Sequence, residues 1–364
     1  MAFSRGAVNT IKKEVHTSSS STETVFLIDA ELGEVISIPS YVFTDDISQY
    51  AEYVGHGSFG TVFKYPPDEI SSGTTVALKQ IYFGLSSSKT IRDDVIKEVE
   101  THRNLIHPNI VKYIGSHETE KAIYIVMEYL PQESLHHNLK SIEDPSTPAL
   151  AEETIFRYTE QILSGLVFLH SYNRDPSDQT QRAPVIHRDL RSANIMIDAF
   201  GNLKLADFGI SKQLDILASR SQFHTADIGN YYWRSPEMIS EVKEKIGRKV
   251  DVWSLGITIL EMIFVDIPFM NLTILGYIRL IVNRHEFENL LGSHKGEINS
   301  TTMLSDLIDK CLTYDADARP TSLELLQSLW TVKDTASSPP LNGEVARGWL
   351  GPWGKNRPPR IKTF

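Results

Sequence analysis

Two carboxylates and a carboxamide stand close together in the middle of the chain. Val185-Ile-His-Arg-Asp-Leu-Arg-Ser-Ala-Asn194 supplies Asp189 and Asn194, and Ala206-Asp-Phe-Gly209 supplies Asp207. No Cys or His cluster accompanies them, so the donor set suits a hard, oxygen-seeking cation such as Mg2+. Ile195 to Leu205 reads as two short apolar strands around an Asp198-Ala-Phe-Gly-Asn202 turn. Such a hairpin is expected to hold Asp189 and Asn194 at one end of a rigid unit and Asp207 at the other.

A second chemical stretch lies upstream, Val54-Gly-His-Gly-Ser-Phe-Gly-Thr-Val62 followed by Lys79. Gly-x-Gly-x-x-Gly also marks dinucleotide sites, but there the last glycine must open a helix. Here Thr61-Val-Phe-Lys-Tyr65 and Thr75-Val-Ala-Leu-Lys-Gln-Ile81 read as strands, with Pro66, Pro67 and Gly73 in the turn between them. Glycine lets a backbone approach phosphate oxygens without a Cβ in the way. Period-2 alternation puts Ala77 and Lys79 on one strand face and Val76 and Leu78 on the other. A small Ala beside a Lys suits a flat adenine ring next to phosphates; the bland alternative is a solvated strand lysine.

The elements around these stretches must hold them in place. Residues 91–106 have the helix period, with Ile91, Val95, His102 and Leu105 in one stripe and Glu98 inside it. An inward carboxylate needs a partner, and Lys79 is the candidate. Ala122-Ile-Tyr-Ile-Val-Met127 reads as a buried strand, and residues 151–170 as an amphipathic helix with Ile155, Tyr158, Ile162, Leu166 and Leu169 on one side. Val252 to Phe264 is apolar all round apart from Glu261, and too short to span about 30 Å of hydrocarbon comfortably; it reads as a central buried helix.

His187-Arg-Asp189, Asn194 and Asp207-Phe-Gly209, in that order and spacing, resemble the catalytic and metal loops of protein kinases. The resemblance covers roughly residues 50 to 331 and implies an α+β, bilobal fold. A small antiparallel-sheet lobe with one helix (50–127) would join a larger, mainly helical lobe (132–331) through a hinge at 128–131. It implies ATP and Mg2+ as cofactors and transfer of the γ-phosphoryl group to a hydroxyl of a protein substrate. Lys79, held by Glu98, would grip the phosphates, and Asn194 and Asp207 would hold the metal. Asp189 would orient the hydroxyl and accept its proton. Val54, Gly55, His56, Gly57, Ser58, Phe59, Gly60 and Val62 would form the flap over the nucleotide. Ala77, Met127 as gatekeeper, Glu128, Leu130 and Met196 would surround the adenine. Asp251 is expected to cap the buried helix or brace the catalytic loop, and Arg319 to pair with Glu237 of Ser235-Pro-Glu237.

The pattern departs from the family in places. Serine/threonine kinases usually carry Lys two residues after the catalytic Asp, where this chain has Arg191, as in some cytoplasmic tyrosine kinases. Gly229-Asn-Tyr-Tyr-Trp-Arg-Ser-Pro-Glu237 is similar to the serine/threonine form, with Asn230 where Thr is usual. The sections around Glu98 to Leu130 and Asp251 to Pro268 look most like kinases at the top of MAP-kinase cascades. Serine/threonine specificity is therefore expected, against tyrosine or dual specificity, a pseudokinase scaffold, or a small-molecule kinase of related fold. A phosphate on Ser221 or Thr225, from an upstream kinase or by autophosphorylation, would pair with Arg188 and order the segment after Asp207.

Composition agrees with this frame. A net charge of −10 argues against a nucleic-acid-binding body. The single cysteine, Cys311, excludes an internal disulfide framework and suits a reducing compartment, the cytoplasm with the nucleus left open. No membrane span is expected, and no secretory signal, because residues 1–23 are polar and rich in Ser. They read as a disordered tail. Residues 24–49 read as an N-terminal extension containing a small hairpin. The run 172–184 reads as a surface insertion, and residues 332–364 as a flexible, basic, Pro/Gly-rich tail.

Overall fold

The computed structural model describes residues 24–29, 35–44, 46–57, 60–66, 74–82, 96, 99, 102, 105–142, 149–172, 184–207, 231–240, 246–297 and 301–336. The chain forms two compact units, 1–326 and 327–364. The last helix, Ser322–Ala336, runs past the expected domain end at residue 331.

An antiparallel five-stranded sheet is built from β3 (Glu52–Gly57), β4 (Gly60–Tyr65), β5 (Val76–Tyr82), β6 (Tyr113–Glu118) and β7 (Ala122–Glu128), in the order β3-β4-β5-β7-β6. Its centre, β5 and β7, carries the β-branched and aliphatic residues that suit strands buried on both faces. Alternation splits these residues between two cores. Val76, Leu78, Tyr124 and Val126 pack on one side, while Ile81, Ile123 and Ile125 meet Val99 on the other. Within residues 91–106 the described positions Ile96, Val99 and His102 are helical but Leu105 and Ile106 are not, so the helix ends before the expected residue 106. Val99, outside the expected stripe, is fully buried, so the packed face is wider than the stripe.

Ahead of this sheet, β1 (Thr24–Ile28) and β2 (Val35–Pro39) pair as an antiparallel hairpin whose apolar face joins the Val76–Val126 core.

The helical part is organised around Lys249–Phe264, buried from Val250 to Ile263, as its all-round apolar sequence requires. Glu152–Ser171 packs beside it, burying Ile155, Ile162, Leu166 and Leu169. Tyr158 is only half-buried, and Thr159 and Leu163 complete the inner face. Cys311 is buried, and burial pushes its thiol up to about 12 against the opposing pull of Arg319 and Lys310, so it is inert packing. Among the described residues no helix is long and apolar enough to cross a membrane.

Candidate active site

The site is assembled on β5 and on a second, short hairpin, β8 (Ile195–Ile197) with β9 (Leu203–Leu205). Asp198 closes its turn by accepting from the Phe200 and Asn202 amides, 2.8 Å each. Antiparallel pairing brings Ile195 opposite Leu205, and the Ala206 amide donates to the Asn194 carbonyl at 2.9 Å. The expectation that Asn194 and Asp207 occupy opposite ends of this unit is therefore corrected. A hairpin returns the chain on itself, so both emerge at its open end, away from the turn.

Asp207 adopts φ 58°, a left-handed conformation tolerated by Asp. Its Oδ1 lies 2.5 Å from Lys79 Nζ, and the lysine is almost fully buried. Burial would push the Asp207 carboxyl up, but Lys79, with His187 and Arg191 farther off, outweighs burial and holds it below the usual carboxylate range. Asp189 moves the other way. Burial raises it, and Arg191, His187 and the Asn194 bond only partly offset that.

Asn194 spends its amide hydrogens on the Asp189 carbonyl (2.7 Å) and Asp189 Oδ2 (2.8 Å), which leaves Oδ1 as its acceptor atom. The backbone of the loop that carries Asp189 is braced by Asp251, which accepts from the amides of His187 and Arg188 at 2.8 Å each, with His170 Nε2 also at 2.8 Å. Burial opposes ionisation of Asp251, yet these partners keep it below the usual range. Arg188, at φ 65°, has no hydrogen-bond partner for Nε among the described residues.

Other expected residues fall around this centre. Ala77 is paired with Met127, and Val62 with Lys79. Met196 faces Lys204 across the hairpin and bridges to Ser134. Glu128 ends β7 and Leu130 lies just beyond it; both are half-buried. In the flap, Val54 is exposed and His56 Nδ1 lies 3.1 Å from Thr61 Oγ1. A Cβ on Gly60 would meet the Gln80 carbonyl oxygen at 2.2 Å, so this glycine is required by strand packing. One on Gly55 would meet nothing within 4 Å, leaving open space there. Gly57 ends β3, while Ser58, Phe59 and Glu98 lie outside the described residues, as do Ser221 and Thr225. Glu237 and Arg319 pair as expected, at 2.7 and 3.1 Å.

Sequence reading missed a second brace. Glu261 is buried, and its Oε1 accepts from Ser192 Oγ (2.6 Å). Its Oε2 accepts from the Ser192 amide (3.2 Å) and from Trp233 Nε1 (2.8 Å). The Arg191 guanidinium lies 5.9 Å from the Trp233 ring centroid. One carboxylate thus joins the loop that carries Asp189 and Asn194 to the segment that ends at Glu237. The lone charge within Val252–Phe264 was the available signal, because a buried carboxylate demands partners.

This arrangement, a five-stranded antiparallel sheet with a mainly helical lobe, is the bilobal fold of the protein kinase class. The protein kinase domain family matches residues 48–331, and the chain belongs to that family, whose members use ATP and a divalent metal. It is 33% identical over 279 residues to mitogen-activated protein kinase kinase kinase 1a of Physcomitrium patens, covering 76% of this chain and 32% of that protein. It is 34% identical over 300 residues to serine/threonine-protein kinase dst1 of Dictyostelium discoideum, covering 81% and 36%. With human mitogen-activated protein kinase kinase kinase 3 it shares 38% identity over 214 residues, 58% and 31%. The chain spans about a third of the length of these curated relatives.

Proposed function

We propose that this chain is a serine/threonine protein kinase that transfers the γ-phosphoryl group of ATP, with Mg2+, to protein hydroxyls in a signalling cascade. The observation that carries it is the meeting of Lys79, Asp207, Asn194 and Asp189 at one place, from three separate stretches of chain. Relatives named as serine/threonine kinases and as MAP kinase kinase kinases support the acceptor type and the setting.

Asp207 and Asn194 fit a magnesium ion. The carboxylate is held ionised, the carboxamide is oriented by Asp189, and Mg2+ is commonly bound by one or two carboxylates together with substrate phosphates. When bound there it would neutralise charge on the transferring phosphoryl group. Lys79 is then released from Asp207 to the nucleotide phosphates, with Glu98 as the proposed carboxylate that holds it. Val54, Gly55, His56, Gly57, Ser58, Phe59, Gly60 and Val62 cover the phosphates. The adenine lies among Ala77, Met127 and Met196 against the backbone of Glu128 and Leu130; because the Glu128 amide is already donated to the Lys112 carbonyl, Glu128 offers its carbonyl. Asp189 orients the acceptor hydroxyl and takes its proton, a role suited to a carboxylate raised by burial. Phosphorylation of Ser221 or Thr225 would supply the anion that Arg188 can pair with.

The test is acceptor identity. Purified protein is incubated with γ-labelled ATP, Mg2+ and a protein substrate, and the labelled amino acids are identified. Label on Ser and Thr is expected; label on Tyr alone would overturn the acceptor assignment, and Arg191 would be the first residue to re-examine.

A further inference from the structure

The family match begins at residue 48, yet the chain before it is built into the nucleotide lobe. Leu27, Ile36 and Ile38 are buried against the face of the sheet opposite Lys79, in one core with Leu78 and Tyr124. Tyr124 Oη and Gln80 Nε2 both donate to the Thr44 carbonyl, at 2.7 and 3.2 Å. β6 admits the hairpin through Gly115, where a Cβ would stand 2.7 Å from Leu27 Cδ2. Asp29, itself buried, pairs with Lys112 at 2.9 Å. Lys112 in turn holds the hinge. Its amide donates to Glu128 Oε1 at 2.7 Å and its carbonyl accepts from the Glu128 amide at 3.0 Å, while Lys204 Nζ reaches the same Oε1 at 2.7 Å.

We infer that residues 24–47 are a positioning element for nucleotide binding. The docked hairpin fixes Lys112 through Asp29, and Lys112 fixes the hinge strand at Glu128. Nucleotide affinity then depends on a segment that lies outside the family domain. This rests on the nucleotide-site reading above, so the test separates docking from affinity.

Docking is read without nucleotide, in the full chain, by urea denaturation of Gly115→Ala, Leu27→Ala and the double variant. Each single change is expected to destabilise, and the double change to be clearly less destabilising than their sum, because Leu27→Ala opens the space the new Cβ needs. Additive effects would show that the hairpin does not lie on β6, and would overturn the proposal. Affinity is read with a fluorescent ADP analogue and by steady-state kinetics on Asp29→Asn and Lys112→Gln. Each is expected to weaken ADP binding and raise the KM for ATP about threefold or more, with kcat within about twofold, and the double variant to be no worse than either. Unchanged ADP affinity in Asp29→Asn, or effects that multiply in the double variant, would overturn it. A wild-type chain that binds no ADP would remove the nucleotide reading and this proposal together, while the urea cycle would still report on docking alone.

Discussion

Arg319 gives the sharpest stability prediction. Its guanidinium is fully buried, and the structure supplies an acceptor for each of its five N–H groups. Nε donates to the Thr313 carbonyl (2.9 Å), Nη1 to Glu237 Oε1 (2.7 Å) and the Lys249 carbonyl (2.9 Å), and Nη2 to Glu237 Oε2 (3.1 Å) and the Tyr314 carbonyl (3.4 Å). A lysine offers three donors on a point charge and cannot reproduce this planar set. Arg319→Lys keeps the charge but strands at least two of the acceptors and is therefore expected to cost about 2–4 kcal/mol, while Glu237→Gln breaks the buried pair, leaves the arginine charge uncompensated and should cost about 3–5 kcal/mol. The double variant Arg319→Met/Glu237→Leu removes both charges and should cost less than the sum of its single changes by more than 1 kcal/mol. It should still fall short of wild type, since three backbone carbonyls lose their donor at about 1 kcal/mol each. Urea denaturation followed by circular dichroism measures all of these. An Arg319→Lys protein within about 1 kcal/mol of wild type, or single changes that add within about 0.5 kcal/mol, would refute the reasoning.

Three further outcomes follow from the same geometry. Asp251→Leu strands the buried amide of His187 and the half-buried amide of Arg188, so a loss of about 2–4 kcal/mol is expected from the denaturation midpoint. Glu261→Gln keeps the shape but replaces one acceptor; kcat should fall more than stability, with little change in ADP affinity, whereas a fall in stability alone would make Glu261 a packing residue only. His107 is half-buried, and burial, with Lys204 second, pushes it down to about 4. The unfolded chain binds the proton first, so stability should be fully present above pH 6.5 and decline as pH falls toward 4, by about 1–2 kcal/mol after solvent screening. His107→Gln should flatten that part of the curve; an unchanged slope would contradict the assignment.

The site was legible because each of its residues sits inside a short stretch with its own local pattern. The Asp198–Asn202 turn announced the hairpin, and alternation in β5 placed Ala77 and Lys79 together. The relative position of Asn194 and Asp207 was misread because the fold of the hairpin, not the distance along the chain, decides which ends meet. The Glu261 brace was out of reach for a different reason. The need for partners is visible in one buried charge, but Ser192 and Trp233 are brought to it only by packing of distant segments. The docking of β1 depends likewise on Gly115, whose empty Cβ position has no meaning until Leu27 lies against it.

The account turns on Asp189 and Asp207 serving one phosphoryl transfer, and single-turnover transfer of labelled phosphate from ATP by wild type, Asp189→Asn and Asp207→Asn tests that directly. Both variants should lose about 100-fold or more in rate, with metal-free ADP binding retained by Asp189→Asn. Either variant within tenfold of wild type would contradict the account.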